Sequence, residues 1–224
     1  MAAIAKETLQ FLTELKENNN KEWFTENKPR YELAKANFEE FMDELIKGIS
    51  IYDPEIAHHT AKSTVFRIYR DVRFSKDKSP YKTHMGAHIT SAKKKSDIHS
   101  RSGYYIHIGP GESMLAGGAY MPQGDWIKAI RQEIDYNGDT LNSILSNSNF
   151  KTFFGELEGE SLKRPPKGYS IDHPNIDLLK RKSFLAKHSL NDEEITKSDF
   201  LQKAVEVYKA LKPLGDFLNS SKQS

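Results

Sequence analysis

The chain has 224 residues, of which 37% are hydrophobic, 11% aromatic and 29% charged, the proportions of a soluble globular protein and not of a disordered one. That length holds one well-packed domain, and no run approaches the roughly 20 apolar residues needed to cross a bilayer. Cysteine is absent, which excludes a disulfide framework, a thiolate metal site and a cysteine nucleophile and fits a cytoplasmic home; the Met1–Lys6 segment also lacks the features of a signal peptide.

Residues 1–60 read as helices. Ile4, Thr8, Leu12 and Leu15 share one face, and Asn18-Asn19-Asn20 ends the run. Asn20 suits the cap of a short helix carrying Trp23 and Phe24, and Pro29 suits the start of a longer one. The stripe of the longer helix is Tyr31, Ala34, Phe38, Phe41/Met42, Leu45 and Ile49, a 3.6-residue period ended by Asp53-Pro54.

Residues 62–121 change character. Thr64 to Val72, Gly86 to Thr90, Tyr104 to Ile108 and Met114 to Tyr120 are short and rich in β-branched or aromatic residues, which predicts strands. Pro110-Gly111 predicts a hairpin between the last two, and Lys93-Lys94-Lys95 an exposed loop. Val65, Ile68, Tyr69 and Val72 also fit the helical template; their residue types favour the strand. Gly117-Gly118 marks a bulge or a close backbone approach.

Residues 122–220 return to helix. Asp125 can cap a helix carrying Trp126, Ile127, Ile130 and Ile134, with Asn137-Gly138 as its end. Leu141, Ile144 and Leu145 suggest another turn or two. Lys163 to Gly168 reads as an extended basic loop, and Asp172-His173-Pro174 as a capped turn before a helix at Ile176 to Leu179. Ser198 caps a final helix with Leu201, Ala204, Val205, Tyr208 and Leu211 inward, ended or kinked by Pro213. The expected fold is a single α+β domain over 1–224, a central antiparallel sheet of about four strands flanked by N- and C-terminal helices.

The net charge of +2 conceals a segregation. Residues 1–61 carry 7 basic and 12 acidic side chains, 62–101 carry 11 and 3, and 102–224 carry 15 and 16. Within the basic third, residues 66–84 hold three arginines at three-residue spacing, three lysines and a histidine among aromatics, with two acids. Cations so dense repel one another unless something negative sits between them.

On a strand, Phe66, Ile68, Arg70, Val72 and Phe74 would share one face, and Arg67, Tyr69, Asp71 and Arg73 the other. Arg70 in the apolar row then needs a carboxylate or a bound anion. The loop Ser75 to Pro80 offers hydroxyls, lysines and amides to an oxyanion, with Tyr81, Lys82 and His84 beyond it. Guanidinium groups take phosphate or carboxylate bidentately and lysines add point charge, so a phosphate-bearing ligand suits these residues. The competing reading is an ion-pair network in which Arg70, Arg73 and Lys78 meet Asp71, Asp77 and the acids of the N-terminal helices.

His84 and His88 share a strand face, and His107 lies on another strand; such imidazoles can hold a metal or move protons. No spacing matches a metal signature, so no metal site is expected, and His84 and His107 stand as candidate proton donors. There is no Walker loop, no dinucleotide glycine fingerprint and no zinc-protease helix; no cofactor is named by the sequence. Phe66, Tyr69, Phe74 and Tyr81 interleave with the cations as nucleic-acid stacking platforms do, without a known nucleic-acid motif.

The run Arg67 to His84 closely resembles the family known as domain of unknown function 2461. The resemblance extends to Asn19-Asn20-Lys21-Glu22-Trp23-Phe24, Gly103-Tyr104-Tyr105, Gly117-Gly118, Leu162 to Gly168 and His173-Pro174, nearly the whole chain. It implies a single-domain, mostly bacterial protein and supplies no reaction. The resulting expectation is a site for a small anionic ligand. Arg67, Arg70 and Arg73 would clamp it, Asp71 would orient the arginines, Ser75, Lys78, Tyr81 and Lys82 would complete it, and His84 or His107 would move protons. The alternatives are a nucleic-acid-binding module and an interaction protein with a structural ion-pair network. No membrane partner is expected.

Overall fold

The structure, a computed structural model, describes residues 3–92 and 100–221. The expected loop at Lys93–Lys95 lies outside the described residues. The fold is α+β, with helices at both ends of the chain and a four-stranded antiparallel sheet. The strands are β1 (Met85–Thr90), β2 (Gly103–Ile108), β3 (Met114–Ala119) and β4 (Phe184–Ser189), in that spatial order. None of the described helices is long and apolar enough to cross a membrane.

The chain divides into two compact units, the first comprising residues 1–89, 105–115 and 189–206. Here α1 (Lys6–Glu17) buries Leu9, Phe11, Leu12 and Leu15. Asn20 caps α2 (Lys21–Glu26) by accepting the Trp23 N–H, as its residue type requires. The helix α3 (Lys28–Ser50) has Pro29 in its first turn and buries Ala34, Phe38, Phe41, Met42, Leu45, Ile46 and Ile49, the face that its periodicity marks. Asn37 fastens the start of α1 to α3: its side chain accepts from the Ala5 N–H and the Thr8 hydroxyl and donates to the Ala3 carbonyl. A 3-10 turn at Pro54–Ile56 leads to α4 (Ala61–Thr64), opened by a reciprocal Thr60–Ser63 capping box. The predicted hairpin between β2 and β3 is present, with Gly111 at φ 73° and the Ser113 hydroxyl accepting from Gly109 N–H and donating to Gly109 C=O. The short helix α8 (Asp192–Ile195) also belongs to this unit, opened by Asn191 and Glu194 in a capping box.

The second unit comprises residues 90–104, 116–188 and 207–224. Its long helix α5 (Gly124–Ser146) starts before Asp125, which lies in the first turn and caps nothing. Asn137 departs from helical geometry (φ −126°, ψ 30°), but the helix resumes, so the predicted end is a kink. At the next residue, a Cβ on Gly138 would lie 2.1 Å from the Asn175 side-chain nitrogen, so a larger residue there would have to push the Asn175 side chain aside. The helices α6 (Ser148–Phe154) and α7 (Ile176–Leu179) follow. The final helix α9 (Phe200–Ser220) contains Pro213 and continues for two turns beyond it. Ser198 precedes α9 by two residues.

Strand β4 carries no prediction from the sequence. Its Phe184-Leu-Ala-Lys-His-Ser run buries Phe184 and Ala186 and leaves Ser189 exposed. Gly118, at φ 108°, explains how it fits: a Cβ there would stand 2.0 Å from the Phe184 carbonyl oxygen. The close backbone approach expected at Gly117-Gly118 is thus present, a Cβ on Gly117 likewise lying 2.4 Å from the Gly103 carbonyl oxygen.

Candidate functional site

The basic motif is neither a strand nor a helix. After α4 the chain runs outward and doubles back through isolated antiparallel bridges, Val65 with Ala87 and Tyr69 with Tyr81. Backbone hydrogen bonds tie the two legs, among them Phe66 N–H to Gly86 O at 2.9 Å, Lys82 N–H to Ile68 O at 2.8 Å and Arg70 N–H to Pro80 O at 2.9 Å. The strand expected over 64–72 is therefore corrected. Thr64 ends a capped helical turn, and Pro80 has no N–H to return across the ladder. The alternation nevertheless survives as far as Arg73 and fails at Phe74, expected in the apolar row but 96% exposed where the chain turns at the tip. Phe66, Ile68, Arg70 and Val72 are buried or half-buried, whereas Arg67, Tyr69, Asp71 and Arg73 are exposed.

Asn19 and Phe24 anchor the returning leg. The Asn19 side chain donates to Tyr81 C=O at 2.9 Å and accepts from Tyr81 N–H at 3.1 Å, imitating a neighbouring strand. The Tyr81 ring stacks on Phe24 with centroids 3.9 Å apart and planes at 14°. Tyr81 is only 5% exposed, so its side chain fixes the motif to α2.

At the tip of this arm, acids neutralise two of the arginines. Arg70 pairs with Asp77 and donates to Ser79 C=O at 3.1 Å, with the Ser75 hydroxyl 3.5 Å away. Asp77 also accepts the Ser79 hydroxyl at 2.6 Å and N–H at 2.9 Å. These Ser79 bonds, then Arg70, hold its carboxyl at about 2. Arg73 grips Asp71 with two donors at 2.9 and 2.7 Å, which keeps Asp71 below the usual carboxylate range. Lys78 donates to Val72 C=O at 3.0 Å. The acids that absorb the charge are thus those within the motif.

The base of the arm differs. Arg67 is exposed and has no ion-pair partner among the described residues. It lines a cleft of about 270 Å³ together with Lys62 and Lys35. Glu39 is the one carboxylate among the described residues that lines that cleft, 3.7 Å from Lys35. Tyr31, Phe66 and Tyr69 give it aromatic walls. Lys82 lies behind, donating to Arg67 C=O at 2.8 Å with its ammonium 5.5 Å from the Phe66 ring centre. Burial, then the Arg67 charge, lowers its pKa. The motif's cations therefore do not converge: Arg67 lines the cleft, while Arg70, Arg73 and Lys78 are committed at the tip.

His84 completes the cleft wall and stacks on His107, ring centres 4.0 Å apart. Burial, followed by His107 and Lys82, pushes His84 down to about 4, so it is neutral at pH 7. Burial also lowers His107, against the opposing pull of Glu112. The His107 Nδ1 meets the Tyr105 hydroxyl at 3.2 Å, while its Nε2 is buried without a hydrogen-bond partner among the described residues.

Glu112, Lys62 and Lys35 carry no expectation from the sequence, and Tyr31 is expected only in the stripe of its helix. Glu112 follows the Pro110-Gly111 turn, which could have placed it beside His107. The others lie on α3 and α4 and join the arm only by tertiary packing. No curated protein and no solved structure matches the chain. Residues 7–217 match the family described as conserved hypothetical protein DUF2461, and the chain belongs to that family.

Proposed function

We propose that the protein binds a small phosphate-bearing anion in the cleft beside Arg67. The observation that supports this reading is the company Arg67 keeps. It is without a carboxylate partner among the described residues, and Lys62 and Lys35 line the same cleft. A guanidinium takes two phosphate oxygens at once and the ammonium groups add charge. Tyr31, Phe66 and Tyr69 offer apolar faces to the organic part of such a ligand. His84, neutral at pH 7, serves as a hydrogen-bonding or proton-accepting group, with His107 stacked behind it. Tyr81 anchors the arm, Arg70, Asp71, Arg73, Ser75 and Lys78 bond within its tip and not to the ligand, and Lys82 adds charge behind Arg67.

Melting curves with inorganic phosphate and with nucleoside monophosphates test this. A ligand at 100 times its Kd raises the Tm of a protein this size by about 5–10 °C. The rise should fall to about half or less in Arg67→Ala and persist in Arg73→Ala. No rise with any of these anions sinks the reading.

A second reading rests on Phe74, which is 96% exposed with the Arg73 guanidinium 5.9 Å from its ring centre. An exposed ring among cations is a stacking platform for a single-stranded nucleic acid. Binding to single-stranded DNA or RNA that falls steeply with salt and is lost in Phe74→Ala would favour it.

A further inference from the structure

Three side chains with metal-binding donors meet beside the β2–β3 turn. His107 lies on β2, Glu112 follows Gly111 in the turn, and His84 immediately precedes β1. Their donor atoms all lie within 4.8 Å of one another, the one such group of three among the described residues. The His107 Nε2 is buried and has no hydrogen-bond partner among the described residues. Glu112 Oε1 stands 3.8 Å from it, too far for a hydrogen bond. Two donors each about 2 Å from a shared ion are separated by roughly 3–4 Å, so this spacing suits a common ligation point.

Two further features support the site. The His107 Nδ1 contacts the Tyr105 hydroxyl at 3.2 Å. Metal-bound imidazoles use their second nitrogen in this way, to fix ring orientation and leave a lone pair on the first. Gly109 makes the convergence sterically feasible. A Cβ there would lie 3.1 Å from Glu112 Cγ, from His107 Nε2 and from His84 Cβ.

We propose that His84, His107 and Glu112 form a site for one divalent first-row transition ion of the Zn²⁺ or Fe²⁺ class. Two imidazoles and one carboxylate suit such ions better than Mg²⁺ or Ca²⁺, and three protein ligands leave coordination positions open. His84 also lines the cleft, so an oxygen of a bound anion can fill an open position and be polarised there. That last connection rests on the anion reading; the metal site does not.

The test uses tag-free, chelator-treated full-length protein titrated with Co²⁺ in the absence of any anionic ligand, followed by visible absorption and elemental analysis. The expected result is one Co²⁺ per chain, displaced by Zn²⁺ and not by millimolar Mg²⁺. Glu112→Gln should weaken binding at least tenfold, and so should His107→Asn. Glu112 is half-exposed, so its variant folds even where the His107 variant does not. A His58→Ala/His59→Ala variant, which removes an adjacent histidine pair with ring centres 4.1 Å apart, should bind normally. Absence of one saturable equivalent, unchanged binding in Glu112→Gln, loss of binding in the His58/His59 variant, or displacement by Mg²⁺ would each overturn the proposal.

Discussion

The tip and the base of one arm carry the same kinds of residue and end in opposite electrostatic states. At the tip, Arg70 and Arg73 are each matched to a carboxylate only a few residues away, Asp77 and Asp71. At the base, Arg67 lines a cleft with Lys62 and Lys35, beside the carboxylate of Glu39. The difference teaches that density of charge in a sequence is not a field. A guanidinium paired at close range contributes little beyond its partner, whereas an unpaired one beside two lysines projects charge into the space they share.

The sharpest way to break the comparison is to detach the arm. Asn19→Ala removes both side-chain hydrogen bonds to the Tyr81 backbone, which should cost about 2 kcal/mol in urea-induced unfolding. It should also weaken anion binding, because the base of the arm is held by this clamp; unchanged stability would show that the Phe24–Tyr81 stack suffices. Next in size, Arg67→Ala should reduce phosphate affinity at least tenfold, about 1.4 kcal/mol, while Arg70→Ala should leave affinity within a factor of three. Equal losses in the two variants would erase the distinction between tip and base.

A smaller effect is expected in acid. The Asp77 carboxyl is lowered to about 2 in the folded chain, against about 3.9 when unfolded. Its contribution to stability is therefore fully present above pH 4 and lost as the pH falls towards 2. Stability curves of wild type and Asp77→Asn should accordingly converge across that window. In Arg70→Ala the Asp77 carboxyl, followed by NMR, should rise only part of the way, because the Ser79 bonds are the larger cause. The smallest effect belongs to Arg73→Ala, whose exposed pair with Asp71 is of the kind that contributes little. Its urea midpoint and phosphate affinity should match wild type.

Much of this was legible in the residues. The stripes of α1 and α3, the Asn20 cap, the hairpin at Pro110-Gly111 and the strands β1 to β3 follow from period and turn chemistry acting over a few residues. The alternation of Arg67, Ile68, Tyr69 and Arg70 was also readable, even though the ladder it would imply stops at Pro80. The end predicted at Asn137-Gly138 misreads a local signal. Gly138 leaves room for the side chain of Asn175, a residue distant in sequence, and the helix resumes around it. Strand β4 escaped because its fit depends on the bare backbone of Gly118.

The sequence by itself determined the α+β class, the helical faces and the presence of one charged, aromatic segment. Such properties depend on residue type and spacing within a turn or a strand. Only the tertiary structure decided which cations are satisfied, because that depends on which carboxylate comes within a few ångströms of each guanidinium. It also decided that Lys62 and Lys35 join Arg67, and that Glu112 and His84 meet at His107. Coulomb energy and ligation fall off with distance in space, and no separation along the chain reports that distance.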